Sequence, residues 1–264
     1  MPPRRPALTS RSVRLLISVA SALLVGVVAF LATVNRTEVA RTAPTAHPPA
    51  ATEAIATPTL SIDDVARAQL RATVTIESLG SNDEGLGTGW LIDAKGDFVT
   101  NAHVVQGQLA VRIRGRDGSS HVGDVVGVDR KLDIAVVRSH DGFAGAPLLP
   151  LRTLLHGLPQ PVVVIASSHA TGHGDITDES ATSVQADVPV TGDTTTGQPP
   201  VTTDYHDMLV LDGQTIYPGN SGGPVLDSGG RVVGILTLAS KSTTEAYAIQ
   251  LGRVLAELTS FAAR

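Results

Sequence analysis

Three short stretches hold the residue types that acyl transfer needs. Thr100-Asn101-Ala102-His103-Val104-Val105 offers an imidazole, Lys131-Leu132-Asp133-Ile134-Ala135-Val136-Val137 a carboxylate, and Pro218-Gly219-Asn220-Ser221-Gly222-Gly223-Pro224 a hydroxyl among glycines. Singly each is bland: such a histidine is commonly a loop residue, such an aspartate a turn residue, and a glycine-rich run simply a turn. Together they make a nucleophile, a base and an orienting acid. A serine hydroxyl is too weak an acid to attack a peptide at neutral pH, so a base must take its proton. On these residues His103 takes the proton of Ser221 and hands it to the departing amine, while Asp133 holds the imidazole in one tautomer and stabilises its cation. Gly219 lets the backbone turn so that its N–H and that of Ser221 point at one spot, an oxyanion hole. Losing one such donor typically costs about 3–4 kcal/mol. Gly222 and Gly223 are expected to leave room for a peptide backbone to approach.

Groups so far apart in the chain must be carried by elements that fold back on one another. From residue 61 the pattern is of short β-branched runs closed by turns: 73–78, 89–92, 98–100, 109–114, 122–128 and 134–137, then 162–166, 183–190, 208–211, 224–226 and 232–238. Lys95-Gly96 and Asp117-Gly118 are turn dipeptides between them. Many short strands spaced near ten residues suggest a barrel or a sandwich, and a polar gap between Pro147 and Pro161 divides them into two groups. Residues 62–70 read as one amphipathic helix with Ser61 as its cap, and 251–261 as a closing helix with Leu251, Val254, Leu255 and Leu258 on one face. No internal repeat is established by periodicity.

Composition agrees with a strand-rich domain: of 264 residues 42% are apolar, 3% aromatic, 26 are Gly and 16 Pro. The absence of cysteine removes disulfides, thiolate metal sites and a cysteine nucleophile together. Residues 1–60 carry six Arg against two Glu, and the remainder fourteen Lys/Arg against twenty-three Asp/Glu. An acidic folded part argues against a nucleic-acid partner. Residues 1–14 contain Arg4, Arg5, Arg11 and Arg14, followed by an uncharged apolar run over 15–34. Twenty residues rising 1.5 Å each cover about 30 Å, the hydrocarbon thickness of a bilayer. The only small-x-small site, Ala20-Ser21-Ala22, lies inside the run, so a retained signal anchor is favoured over a cleaved leader and secretion. The positive flank places residues 1–14 in the cytoplasm and the rest outside. Residues 35–60, rich in Pro, Thr and Ala, form a disordered linker reaching about 28 Å.

The order His, Asp, Ser is that of chymotrypsin-type barrels, and the three stretches resemble those of trypsin-like serine peptidases, most closely the HtrA/DegP branch. That branch pairs a TNxHV-like histidine motif, an LDIAV-like aspartate motif and GNSGGP. Further similar segments are GLGTGWLI over 85–92, GRVVGILTL over 230–238 and Ala246-Tyr247-Ala248-Ile249 before the final helix. The resemblance implies an all-β protein of two packed six-stranded antiparallel barrels, about 65–146 and 160–250, with a C-terminal helix. The cleft would lie between them, with His103 and Asp133 from the first barrel and Ser221 from the second. The sequence departs from the family in several places. The given chain runs to Arg264, so no PDZ domain is expected; Ser167-Ser168-His169 replaces a GNP-type turn; 191–206 is a polar insertion expected to form a surface loop near the cleft; one residue more than usual separates Asp212 from Ser221; and the N-terminal aromatics of trimeric members are not evident.

By the same resemblance the first specificity pocket takes its floor from Thr215 and Ile216 and its wall from Leu236, Thr237, Leu238 and Ala239. With no acid closer than Asp212 and no histidine in the wall, small or medium aliphatic residues are expected before the cleaved bond. His169, His173 and Asp175 are close in sequence, but the glycines among them make a helix, and hence convergence on a metal, a poor reading. GLGTG lacks the third glycine and the βαβ context of a nucleotide loop. Neither metal nor cofactor is therefore expected. Two functions remain: a membrane-anchored extracytoplasmic serine endopeptidase acting on proteins or peptides through an acyl-enzyme, and a catalytically silent protease-like binding or sensing module.

Overall fold

The computed structural model describes residues 61–79, 87–141, 143, 146–167, 170, 172, 175–188, 205–213, 215–240 and 243–264. The apolar run over 15–34, the linker over 35–60 and most of the insertion over 191–206 lie outside these. Among the described residues no helix is long and apolar enough to cross a membrane.

The description starts with helix α1, Ile62–Gln69, capped as its sequence predicts: Ser61 Oγ accepts from the Asp64 amide at 3.1 Å. A 3₁₀ turn, Leu70–Ala72, leads into six strands: β1 Thr73–Ser78, β2 Gly87–Leu91, β3 Asp97–Thr100, β4 Ala110–Arg114, β5 Ser120–Asp129 and β6 Ile134–Ser139. They close into an antiparallel barrel in the order β1-β2-β3-β6-β5-β4. Six more follow: β7 Gln160–Ile165, β8 Ile176–Asp187, β9 His206–Gly213, β10 Pro224–Asp227, β11 Val232–Ala239 and β12 Ala246–Gln250. Their order, β7-β8-β9-β12-β11-β10, repeats that of the first barrel. The two barrels are thus one topology used twice, a repeat that periodicity did not reveal.

The pattern located eleven of these strands and misjudged the ends of some. β8 begins at Ile176, because Thr177, Glu179 and Ala181 alternate inward where the sequence looks polar. β12 was not marked as a strand, since its five residues contain two alanines that carry little β signal.

Both faces of the central strands are buried, which explains why they read as apolar runs. In β6, Ala135 and Val137 fill the first barrel while Ile134 and Val136 face outward into a second cluster. In β7, Val162 and Val164 fill the second barrel while Val163 and Ile165 join that same outward cluster. Trp90, Val99, Leu226 and Ile235 belong to it too. This apolar seam joins the barrels, and helix α2, Leu251–Ala262, is laid along it through Leu251, Val254, Leu258 and Phe261. Gly127 in β5 is needed here: a Cβ at that position would lie 2.1 Å from Phe261 Cγ. Arg138 and Lys95 donate to the Ala262 carbonyl at 2.8 and 2.9 Å, placing positive charge at the helix C-terminus.

Candidate active site

His103 and Asp133 both come from the first barrel. β3 ends at Thr100, so the chain turns out at Asn101 and lifts His103 to the surface, while Asp133 immediately precedes β6. Antiparallel pairing of β3 with β6, Thr100 opposite Ala135, brings the two together across thirty residues of chain. His103 Nδ1 lies 2.9 Å from Asp133 Oδ2 and 3.1 Å from Oδ1, and the His103 amide donates to Oδ1 at 3.0 Å. An Nδ1 held against a carboxylate carries the proton, which leaves Nε2 as an acceptor. Asp133 is 3% exposed, and the imidazole, at 42%, stays open to the cleft.

Two residues that sequence reasoning left without a role hold this pair. Asn101 is fully buried, and its Nδ2 donates both to the Asp133 carbonyl at 2.8 Å and to Thr237 Oγ1 at 3.0 Å, tying the aspartate's loop to the second barrel. Among the described residues its Oδ1 has no partner. Tyr205 Oη donates to Asp133 Oδ2 at 3.1 Å, so the end of the polar insertion reaches the site itself. The only sequence signal for Asn101 was its place in the histidine motif, and for Tyr205 there was none. Asp133 also adopts φ +55, a left-handed conformation uncommon for a non-glycine residue. The Asn101 side chain and the His103 amide both donate to this residue.

Ser221 lies in the turn before β10, in the second barrel. Its hydroxyl donates to the Thr237 carbonyl at a long 3.5 Å, and among the described residues it makes no hydrogen bond to His103. Gly219 has φ +97, as a turn there requires, and among the described residues neither its N–H nor that of Ser221 donates to a backbone carbonyl. The intervening Asn220 closes the turn, its amide donating to the Tyr217 carbonyl and its Oδ1 accepting from the Tyr217 amide. Gly222 and Gly223 serve a different purpose from the one expected. A Cβ on Gly222 would sit 2.1 Å from the Thr88 carbonyl oxygen, and one on Gly223 2.4 Å from that of Ile165. The backbone they make room for is the protein's own.

The residues assigned to the specificity pocket differ in burial. Leu236 is buried inside the second barrel, and the Thr237 hydroxyl accepts from Asn101 and donates to the Ile235 carbonyl. Thr215 and Ala239 are exposed, and Ile216 and Leu238 half-buried, with Ile216 packed on the second barrel's core. Asp212 accepts from Thr244 Oγ1. His169 and His173 lie outside the described residues, and Asp175 pairs with Arg116 at 2.6 Å.

Residues 87–235, more than half of the chain, match the family described as Trypsin-like peptidase domain. HhoA of Synechocystis sp., named as a serine protease, is 32% identical over 186 residues, covering 68% of this chain and 43% of that protein. A DegP-like protein of Halomonas elongata, named as a periplasmic serine endoprotease, is 30% identical over 154 residues, covering 57% of this chain and 28% of its own. The chain thus spans less than half the length of these curated relatives. A crystal structure of Rv3671c from M. tuberculosis H37Rv in an inactive form superposes with a TM-score of 0.60 at 25% identity, covering 78% of this chain and 94% of that one. With two antiparallel barrels, a histidine–aspartate pair on one and a glycine-rich serine turn on the other, this chain belongs to the trypsin-like peptidase domain family.

Proposed function

We propose that this chain is a serine endopeptidase that cleaves proteins or peptides through an acyl-enzyme, outside the cytoplasmic membrane and tethered by residues 15–34. The observation that carries it is the His103–Asp133 pair, whose hydrogen bonds leave an accepting Nε2 open to the cleft. Rotation of the Ser221 side chain between staggered wells gives up only a 3.5 Å contact, and catalytic hydrogen bonds of unliganded sites often tighten only with substrate. Ser221 Oγ bonds to the scissile carbonyl carbon as its proton passes to Nε2, and the Gly219 and Ser221 amides hold the oxyanion. Collapse breaks the C–N bond and sends the proton to the amine. Water then repeats the sequence on the ester. The extracytoplasmic placement is supported by the basic residues before the apolar run and by the periplasmic name of the Halomonas relative.

A fluorophosphonate probe tests this on the full chain. An adduct on Ser221, absent in Ser221→Ala, is the expected result. The Ser221–Thr237 contact is what favours the silent-module reading, and folded protein that takes up no probe would establish it instead.

A further inference from the structure

β2 was read from sequence only as a strand, yet its second residue, Thr88, is where the first barrel grips the serine turn. Thr88 is fully buried and four hydrogen bonds meet on it. Its amide donates to the Ser221 carbonyl at 2.8 Å. Its Oγ1 donates to the Gly219 carbonyl at 2.8 Å and accepts from the Ser167 amide at 3.0 Å. Its carbonyl accepts from Thr100 Oγ1 at 2.8 Å. Three of the four partners belong to the second barrel's side of the seam, and two are the residues whose amides would face an oxyanion.

The direction of these bonds gives the arrangement its force. A threonine in a strand has little freedom at χ1, and the Ser167 N–H occupies a lone pair of Oγ1, so the hydroxyl proton is left to point at Gly219. Gly219 at φ +97 has a backbone that no side chain restrains, and holding its carbonyl pins the planar 219–220 peptide, which adjoins the peptide that carries the Gly219 N–H. The Thr88 amide pins the 221–222 peptide likewise, so the peptide that carries the Ser221 N–H is held between two fixed planes. Oxyanion donors stabilise a transition state only when they are already aimed before charge develops.

We propose that Thr88 is a positioning residue, acting through Gly219 and Ser221 to aim the oxyanion amides, with the Ser167 amide locking its rotamer. This rests on the peptidase reading above. The test follows the concentration dependence of fluorophosphonate labelling on the full chain, giving a limiting rate and a half-saturating concentration. Thr88→Val keeps the shape and removes the hydroxyl; its limiting rate should fall about 10- to 100-fold, a fraction of the loss of a whole donor, with half-saturation unchanged. Thr88→Ser should return to within about threefold of wild type, a rescue that a purely structural role would not give. Wild type that labels normally together with Thr88→Val at the same limiting rate overturns the proposal and leaves the peptidase reading intact. Wild type that never labels overturns that reading first. Should Thr88→Val and Thr88→Ala both fail to fold by circular dichroism, Thr88 is a docking residue and the proposal falls.

Discussion

The two halves of the site are built on opposite principles. In the first barrel the candidate groups are side chains that hold one another, Asp133 accepting from His103 twice over, with Tyr205 adding a bond from beside β9. In the second barrel they are a hydroxyl and two amides on a glycine-rich turn, held by its own backbone and by β11 and, at the Gly219 and Ser221 carbonyls, by Thr88 of the first barrel. The base pair is assembled mainly from its own side chains; the nucleophile's frame is in part borrowed. A site divided this way should respond differently to damage on each side.

The sharpest break is on the locally assembled side. Asp133→Asn should lower turnover about 10⁴-fold with the melting temperature little changed, following the precedent of serine peptidase triads. A near-normal labelling rate would mean that another group orients His103.

The borrowed side should fail through the backbone. Gly222 has φ +86 and its missing Cβ would meet the Thr88 carbonyl oxygen at 2.1 Å, whereas Gly118, at φ +84 in a hairpin, has nothing within 4 Å. Gly222→Ala should therefore cost about 3 kcal/mol or more, and Gly118→Ala about 1 kcal/mol, in urea denaturation. Equal costs would show that the turn is not wedged against the first barrel.

Asn101 is the place where the two sides meet. Asn101→Ala strips a donor from both the Asp133 carbonyl and Thr237 Oγ1, and each orphaned buried acceptor costs about 1–3 kcal/mol. A double-mutant cycle with Thr237→Val should show coupling of at least about 0.5 kcal/mol; additive effects would mean that the link between barrels carries no energy.

The smallest effect expected is one of pH. Burial raises Asp227, but hydrogen bonds from Arg231 and Arg152 and from the Arg231 and Gly229 amides outweigh it, leaving its pKa below the ordinary 3.8. Asp97 in the first barrel moves the other way: burial raises it, with Asp93 adding, against the pull of Arg138. A depressed carboxyl gives stability above its unfolded pKa that is lost as pH falls through the folded value. A raised one gives stability at low pH that is lost as pH climbs through the folded value. Between about pH 6 and 3, Asp227→Asn should lose less stability than wild type and Asp97→Asn more, as followed by denaturation at each pH. The reverse ranking would put the acid-sensitive carboxylate in the first barrel.

Much of this could be read from residues alone, and the division again follows the two halves. His103, Asp133 and the serine turn stand out because catalysis needs particular side chains in particular motifs. The strands stand out because β-branched runs end at Gly96 and Gly118, both in the left-handed region. What stayed hidden were contacts between segments distant in sequence. Thr88 looks like any strand residue until Gly219 and Ser167 are beside it. Leu236 is read by position alone, and its place inside the second barrel shows only once the strands pair. Gly222 looks like space for substrate until Thr88 fills that space. The topological repeat escaped notice because barrel closure constrains strand order and inward volume, not residue identity.

Helix α2 follows β12 directly in sequence, yet Phe261 nests over Gly127 of β5 and the Ala262 carbonyl takes its hydrogen bonds from Arg138 and Lys95. The outer wall of the first barrel is therefore covered by a helix that follows all twelve strands in sequence. Until that helix docks, the groove over Gly127 stays bare to water, so the first barrel depends for its full burial on a segment that the second barrel's strands precede.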